Sequence, residues 1–146
     1  MKTTKLDGAV GARTFAVVLA KGDDPAQLIA KMAKEQRLGT SRLTAIGGFS
    51  KAVLGYFDRT RRDYIRIPIE EQAEVLSLVG DVADGEDGSP ALHLHAVLGL
   101  RDGSTRGGHL LSAEVWPTLE VIVTESPAHL RKRMDREVGL PLLTGQ

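Results

Sequence analysis

From Arg42 to Thr124 the chain is a succession of short apolar, β-branched segments separated by glycine- and aspartate-rich breaks. That pattern belongs to paired strands, so the middle of the chain reads as sheet. Arg42–Asp58 reads as two short strands broken at Gly47-Gly48, with Arg59–Arg62 as a turn. Asp63–Ile69 returns, and Pro68 within it points to an edge strand or a bulge. Glu74–Ala83 is a further strand, Asp84–Pro90 a loop, and Leu92–Leu100, Gly108–Trp116 and Leu119–Thr124 are three more strands.

The flanks differ. Arg13–Ala20 is a β-branched run. Pro25–Leu38 reads as a helix: Asp24 is a suitable N-cap, Gln27 completes a capping-box spacing, Leu28, Ile29 and Met32 share one face, and Gly39 ends it. A second helix is expected over Pro127–Val138. The expectation is a single α+β domain, a mainly antiparallel sheet with two flanking helices. Residues 1–12 are expected to be a flexible segment, 13–140 the domain and 141–146 a tail.

A chain of 146 residues can bury a core without covalent staples. It contains no cysteine, which excludes disulfides and thiolate metal sites and suits a reducing compartment. The start is polar and glycine-rich, and no apolar run is long enough to cross a bilayer, so the expectation is a soluble, cytoplasmic protein. Charge is unevenly spread: residues 1–73 carry 13 Lys+Arg against 8 Asp+Glu, whereas Glu74–Glu125 carries 2 against 9. The acidic stretch is a poor surface for nucleic acid, which is bound through phosphate neutralisation.

That acidic stretch holds three of the four histidines. In Leu92–Leu100, Leu92, Leu94, Ala96, Leu98 and Leu100 share one face, and His93 and His95 point together from the other, about 7 Å apart. Whether His109 joins them depends on the connection Arg101–Gly108. A two-residue Asp102-Gly103 turn puts His109 opposite Ala96, on the leucine face. An odd-length loop, such as Asp102–Ser104, or a bulge at Gly107-Gly108, puts it on the histidine face. Three imidazoles there would form a facial set with open positions, suited to zinc or another divalent ion. The spacing alone favours two hydrogen-bonded histidines on an edge or partly exposed strand over a metal site. His129, beside Arg131, reads as a solvated surface residue.

The segments "GFSKAVLGYFD", "EVLSLVGDVA", "HLHAVLGLRDGSTRGGHL" and "PTLEVIVTE", in this order and spacing, resemble the prokaryotic branch of the PPC (plants and prokaryotes conserved) domain family, over roughly Arg13–Leu140. The resemblance implies a curved, mainly antiparallel sheet, assembly as a homotrimer, and a metal site, usually taken to be zinc, with His93, His95 and His109 as ligands. Plant relatives bind A·T-rich DNA through Arg-Gly-Arg-Pro arms that this chain lacks. Their Gly-Arg-Phe-Glu-Ile-Leu motif is reduced here to "EQAEVL", with Gln72 and Ala73 at the Arg and Phe positions.

Other residues have weaker claims. Arg59, Arg61, Arg62 and Arg66, with Tyr56 and Tyr64, could meet phosphates and bases, or form a charged hairpin tip that blocks edge pairing. Arg131, Lys132, Arg133 and Arg136, late in the expected second helix, would complement its dipole. No nucleophile motif or phosphate-cradling loop is present. Glu74, Glu114 and Glu120 could serve as a base or second shell beside a metal, or as salt-bridged carboxylates. Two functions follow: a trimeric metal-binding protein with a DNA-associated or regulatory role, or a metal-dependent enzyme or small-molecule binder using the open three-histidine site.

Overall fold

A computed structural model describes residues 1–6, 13–126 and 130–144. The strands are β1 (Lys2–Leu6), β2 (Thr14–Ala20), β3 (Ser41–Asp58), β4 (Asp63–Ile69), β5 (Ala73–Asp84), β6 (Pro90–Gly99), β7 (Thr105–Glu125), β8 (Arg131–Asp135) and β9 (Leu140–Thr144), with one helix, α1 (Pro25–Glu35), between β2 and β3. β1, within the segment expected to be flexible, pairs antiparallel with β2.

Two long strands organise the sheet. Arg42–Asp58 is one continuous strand rather than two; Gly47-Gly48 marks a shift of register within it. Gly48 cannot carry a side chain, because a Cβ would lie 2.3 Å from the Trp116 carbonyl oxygen. Gly108–Trp116 and Leu119–Thr124 are likewise joined in β7, across a cis Trp116-Pro117 bond. β3 pairs with both β5 and β7, and β6 also pairs with both β5 and β7. These four strands therefore form a closed circuit, which gives the sheet an inside and an outside.

The inside is the core. Leu94, Ala96 and Leu98 of β6 point in, with Phe49, Leu54, Leu78, Val82, Val115 and Leu119 from the neighbouring strands, all buried. α1 packs against β6 and β7 through Ile29, Met32 and Ala33. Asp24 caps α1 as expected, accepting from the Gln27 backbone N–H at 2.9 Å. β4 pairs only with β3, so Pro68 does lie on an edge strand.

The expected second helix over Pro127–Val138 is a correction. Its first residues, including His129, lie outside the described set, and Arg131–Asp135 forms β8, hairpinned to β9. The described residues contain one helix, not two. The segment alternates, with Lys132 buried and Arg131 and Arg133 exposed, so its basic residues serve no helix dipole. No helix among the described residues is long and apolar enough to cross a membrane.

Candidate functional site

The β6–β7 connection answers the question of register. Its loop is Arg101–Asp102–Gly103, three residues long, closed by Leu100 N–H donating to the Ser104 carbonyl at 2.8 Å and Gly103 N–H donating to the Leu100 carbonyl at 2.9 Å. Gly103 is left-handed, at φ 82°, as the third residue of such a loop requires. Asp102 Oδ1 fixes the turn by accepting from the Ser104 N–H and hydroxyl at 2.9 and 2.6 Å. The odd length, counted from Arg101 rather than Asp102, puts His109 directly opposite His95, and no bulge occurs at Gly107-Gly108.

Opposed residues of an antiparallel pair point to the same side. His93, His95 and His109 therefore share the outer face, opposite the buried leucines. One ligand-capable atom from each lies within 4.8 Å of the others. His93 Nε2 and His95 Nε2 are 3.0 Å apart. Three nitrogens bound to one ion at about 2.1 Å in a tetrahedral arrangement sit roughly 3.4 Å apart, so small side-chain rotations suffice. The Nδ1 atom of His109 is buried and has no hydrogen-bond partner among the described residues.

Two glycines make the site possible. A Cβ on Gly108 would lie 2.8 Å from the Gly55 carbonyl oxygen, so the Gly-Gly-His sequence lets β7 press against β3. Gly55 itself pairs with His109, and a Cβ there would lie 2.7 Å from the Tyr64 ring. The bare glycine lets Tyr64 cross from β4 and stack on His109, with centroids 4.8 Å apart and planes at 22°. Burial holds the Tyr64 phenol above its ordinary pKa.

On the other side stands a pair that sequence reasoning missed. Asp81 is opposite His93 across β5 and β6, and its Oδ2 is 4.0 Å from His93 Nδ1. Lys132 of β8, only 3% exposed, reaches in to place Nζ 2.5 Å from Asp81 Oδ1 and 3.2 Å from the Ala91 carbonyl oxygen. A lone aspartate within "EVLSLVGDVA" was the available signal for Asp81. Lys132 had none, because its segment read as helix.

This surrounding favours neutral imidazole. Burial first, then the charge of neighbouring His95 and of Lys132, lowers the His93 pKa against a smaller upward pull from Asp81. His109 is pushed down to about 4 by burial first, then by His93, His95 and Lys132. Neutral imidazole is the form that binds a metal. The donor set thus fits a divalent ion of borderline softness, with a side left open.

The carboxylates singled out from the sequence lie elsewhere. Glu74 is opposite Gly99, four residues from His95, or about 13 Å along the strand. Glu120 lies on β7 opposite Ile46 of β3 and lines a groove with Val79, whose partner on β6 is His95. Glu114 accepts from Ser50 Oγ at 2.9 Å and pairs with Lys51 at 3.2 Å, interactions that lower its pKa. Arg59, Arg61 and Arg62 are exposed at the β3–β4 tip, and Arg66 is exposed further along β4.

A closed antiparallel sheet with one packed helix and an outward histidine trio defines a PPC-type domain. The sequence matches the model of the Plants and Prokaryotes Conserved (PCC) domain over residues 7–127, and the chain belongs to that family. Among solved structures it is similar to a metal-containing protein from Archaeoglobus fulgidus, 34% identical over 90% of this chain and 92% of that one, with a TM-score of 0.82. A plant- and prokaryote-conserved protein from Pyrococcus horikoshii is 25% identical over 99% and 96%, with a TM-score of 0.85. A protein from Ralstonia eutropha whose name proposes DNA binding is 26% identical over 96% and 94%, also with a TM-score of 0.85. No curated protein matches at a significant level.

Proposed function

We propose that His93, His95 and His109 hold one divalent metal ion, zinc in the first instance, and that the protein acts as a metal-binding PCC-domain protein. The observation that carries this is the pairing of His95 with His109, which gathers three imidazoles on one outer face. The metal-containing archaeal relative supports it. When bound, the ion would supply Lewis acidity on its open side. Elemental analysis tests the proposal: about one zinc per chain is expected in the purified protein, and near-complete loss in His95→Ala. Unchanged metal in a folded His95→Ala protein would overturn it.

The homotrimer is part of the same proposal. Ile46, Leu76, Val79 and Ile122 adjoin on the outer face and are 43–60% exposed, an apolar patch that a second copy of the chain could cover. Light scattering showing a monomer would remove it.

A DNA-associated role is the second reading, supported by the exposed arginines at the β3–β4 tip and by the name of the Ralstonia relative. Assembly would present three such tips. Binding should be weak, non-specific and steeply salt-dependent, and no shift of duplex DNA at low salt would exclude it. A metal-dependent enzyme or small-molecule binder is the alternative use of the open side, with Glu74 or Glu120 as the base it would draw on.

A further inference from the structure

The charges around the histidine trio do not balance once an ion is present. Three neutral imidazoles bring no negative charge to a divalent cation. Asp81 brings a carboxylate oxygen within 4.0 Å of His93 Nδ1, and its charge is matched by Lys132 at 2.5 Å. Lys132 is buried, so water screens its charge poorly, and that charge acts on both His93 and His109. The loaded site would therefore carry about two uncompensated positive charges, with the Tyr64 ring stacked on His109 as an apolar wall. Such a site favours an anion over water at the open position of the ion.

Resting on the metal assignment above, we propose that the loaded trio, with Lys132 beside it, is a binding site for a small oxyanion such as a carboxylate or phosphate group. The trio supplies the ion and Lys132 a second cation, while Asp81 holds Lys132 in place and moderates the field. The residues thus predict opposite effects from the two partners of one ion pair. Removing Lys132 leaves Asp81 as an uncompensated negative charge and should weaken the anion. Removing the charge of Asp81 frees that of Lys132 and should tighten it.

The test uses the full-length protein loaded with cobalt(II), whose visible absorption reports on its ligands. Acetate, inorganic phosphate and the uncharged acetamide are titrated at fixed pH and ionic strength. Acetate or phosphate should change the spectrum with saturation, and which of the two saturates lower identifies the source chemistry; acetamide should do nothing. Lys132→Met should raise the half-saturating concentration roughly tenfold, and the near-isosteric Asp81→Asn should lower it by a similar factor. Asp81→Asn keeps the test decisive if Lys132→Met fails to fold. Failure of the wild type to bind cobalt would sink the metal assignment itself. Cobalt bound with a spectrum indifferent to both anions, or an Asp81→Asn protein no tighter than wild type, would overturn the oxyanion proposal alone.

Discussion

The β6–β7 and β3–β4 hairpins are built by the same local rules and come to opposite ends. Each alternates apolar and polar positions and turns at a short polar loop. β6 has neighbours on both sides, β5 and β7, so its inner face becomes core and its outer face a floor. Tyr64 and Lys132 then border that floor, where His109 is half-buried while His93 and His95 stay exposed. β4 has one neighbour, so residues on both its faces meet water: Arg66 is exposed and Ile65 is 41% exposed. Polar side chains on a strand become a site where neighbouring strands bring partners to them.

The largest effect should come from breaking register in the first hairpin. One glycine inserted between Gly107 and Gly108 forces β7 to slip or bulge, which turns His109 toward the leucine face. Metal binding should vanish and folding should be severely weakened. The same glycine inserted between Asp102 and Gly103 should be absorbed by the loop, at a cost of about 1 kcal/mol or less and with metal retained. Elemental analysis and urea titration of the two insertions give the answer. Equal metal content in both would mean that the facing of His95 and His109 is not what gathers the ion.

Next in size are side-chain truncations that contrast the two hairpins. Leu98 of β6 is fully buried, and Leu98→Ala should cost about 2–5 kcal/mol. Ile65→Ala on β4 should cost roughly 0.5 kcal/mol or less. Comparable losses in denaturant midpoints would show that β4 is covered in solution, by a second chain or otherwise.

What the sequence disclosed follows the same division. Alternation put His93 and His95 together, because strand periodicity is local and β6 has no bulge between them. The parity of the β6–β7 loop was legible as a choice, but not which branch holds: Gly103 can sit in a two- or a three-residue turn, and the packing of β3 against Gly108 favours one. Arg131–Asp135 misled because lysine and arginine are good helix formers and five residues show little period. Its burial of Lys132 against Asp81 is a tertiary fact, and so is the stacking of Tyr64 across Gly55. The walls of the site were therefore hidden where its floor was not.

Acid should loosen the walled site while leaving the open hairpin indifferent. The folded-state pKa of His109 is about 4, below the ordinary 6.5, and that of His93 is lowered too. Between those values the unfolded chain binds more protons than the folded one, so stability is complete above about pH 6.5 and declines as pH falls toward about 4. Metal-free protein should show that decline in its urea midpoint. His109→Phe, which keeps a ring against Tyr64 and removes a titrating group, should flatten it. A wild-type midpoint constant across the window would mean that His109 is more hydrated than the structure shows.

The smallest effect on stability belongs to the arginine tip, where the comparison is sharpest because function and stability separate. Arg59, Arg61 and Arg62 are exposed, so replacing any one by alanine should change stability by roughly 0.5 kcal/mol or less. If the tip meets DNA phosphates, each replacement should weaken binding to all duplex sequences alike and reduce the slope of log affinity against log salt by about one. Such uniformity marks a contact to the backbone rather than to bases. Metal content should not change, because the tip shares no residue with the histidine floor. If Arg61→Ala left the salt slope unchanged, the tip would be a guard on an edge strand, and any DNA contact would have to come from another face of the molecule.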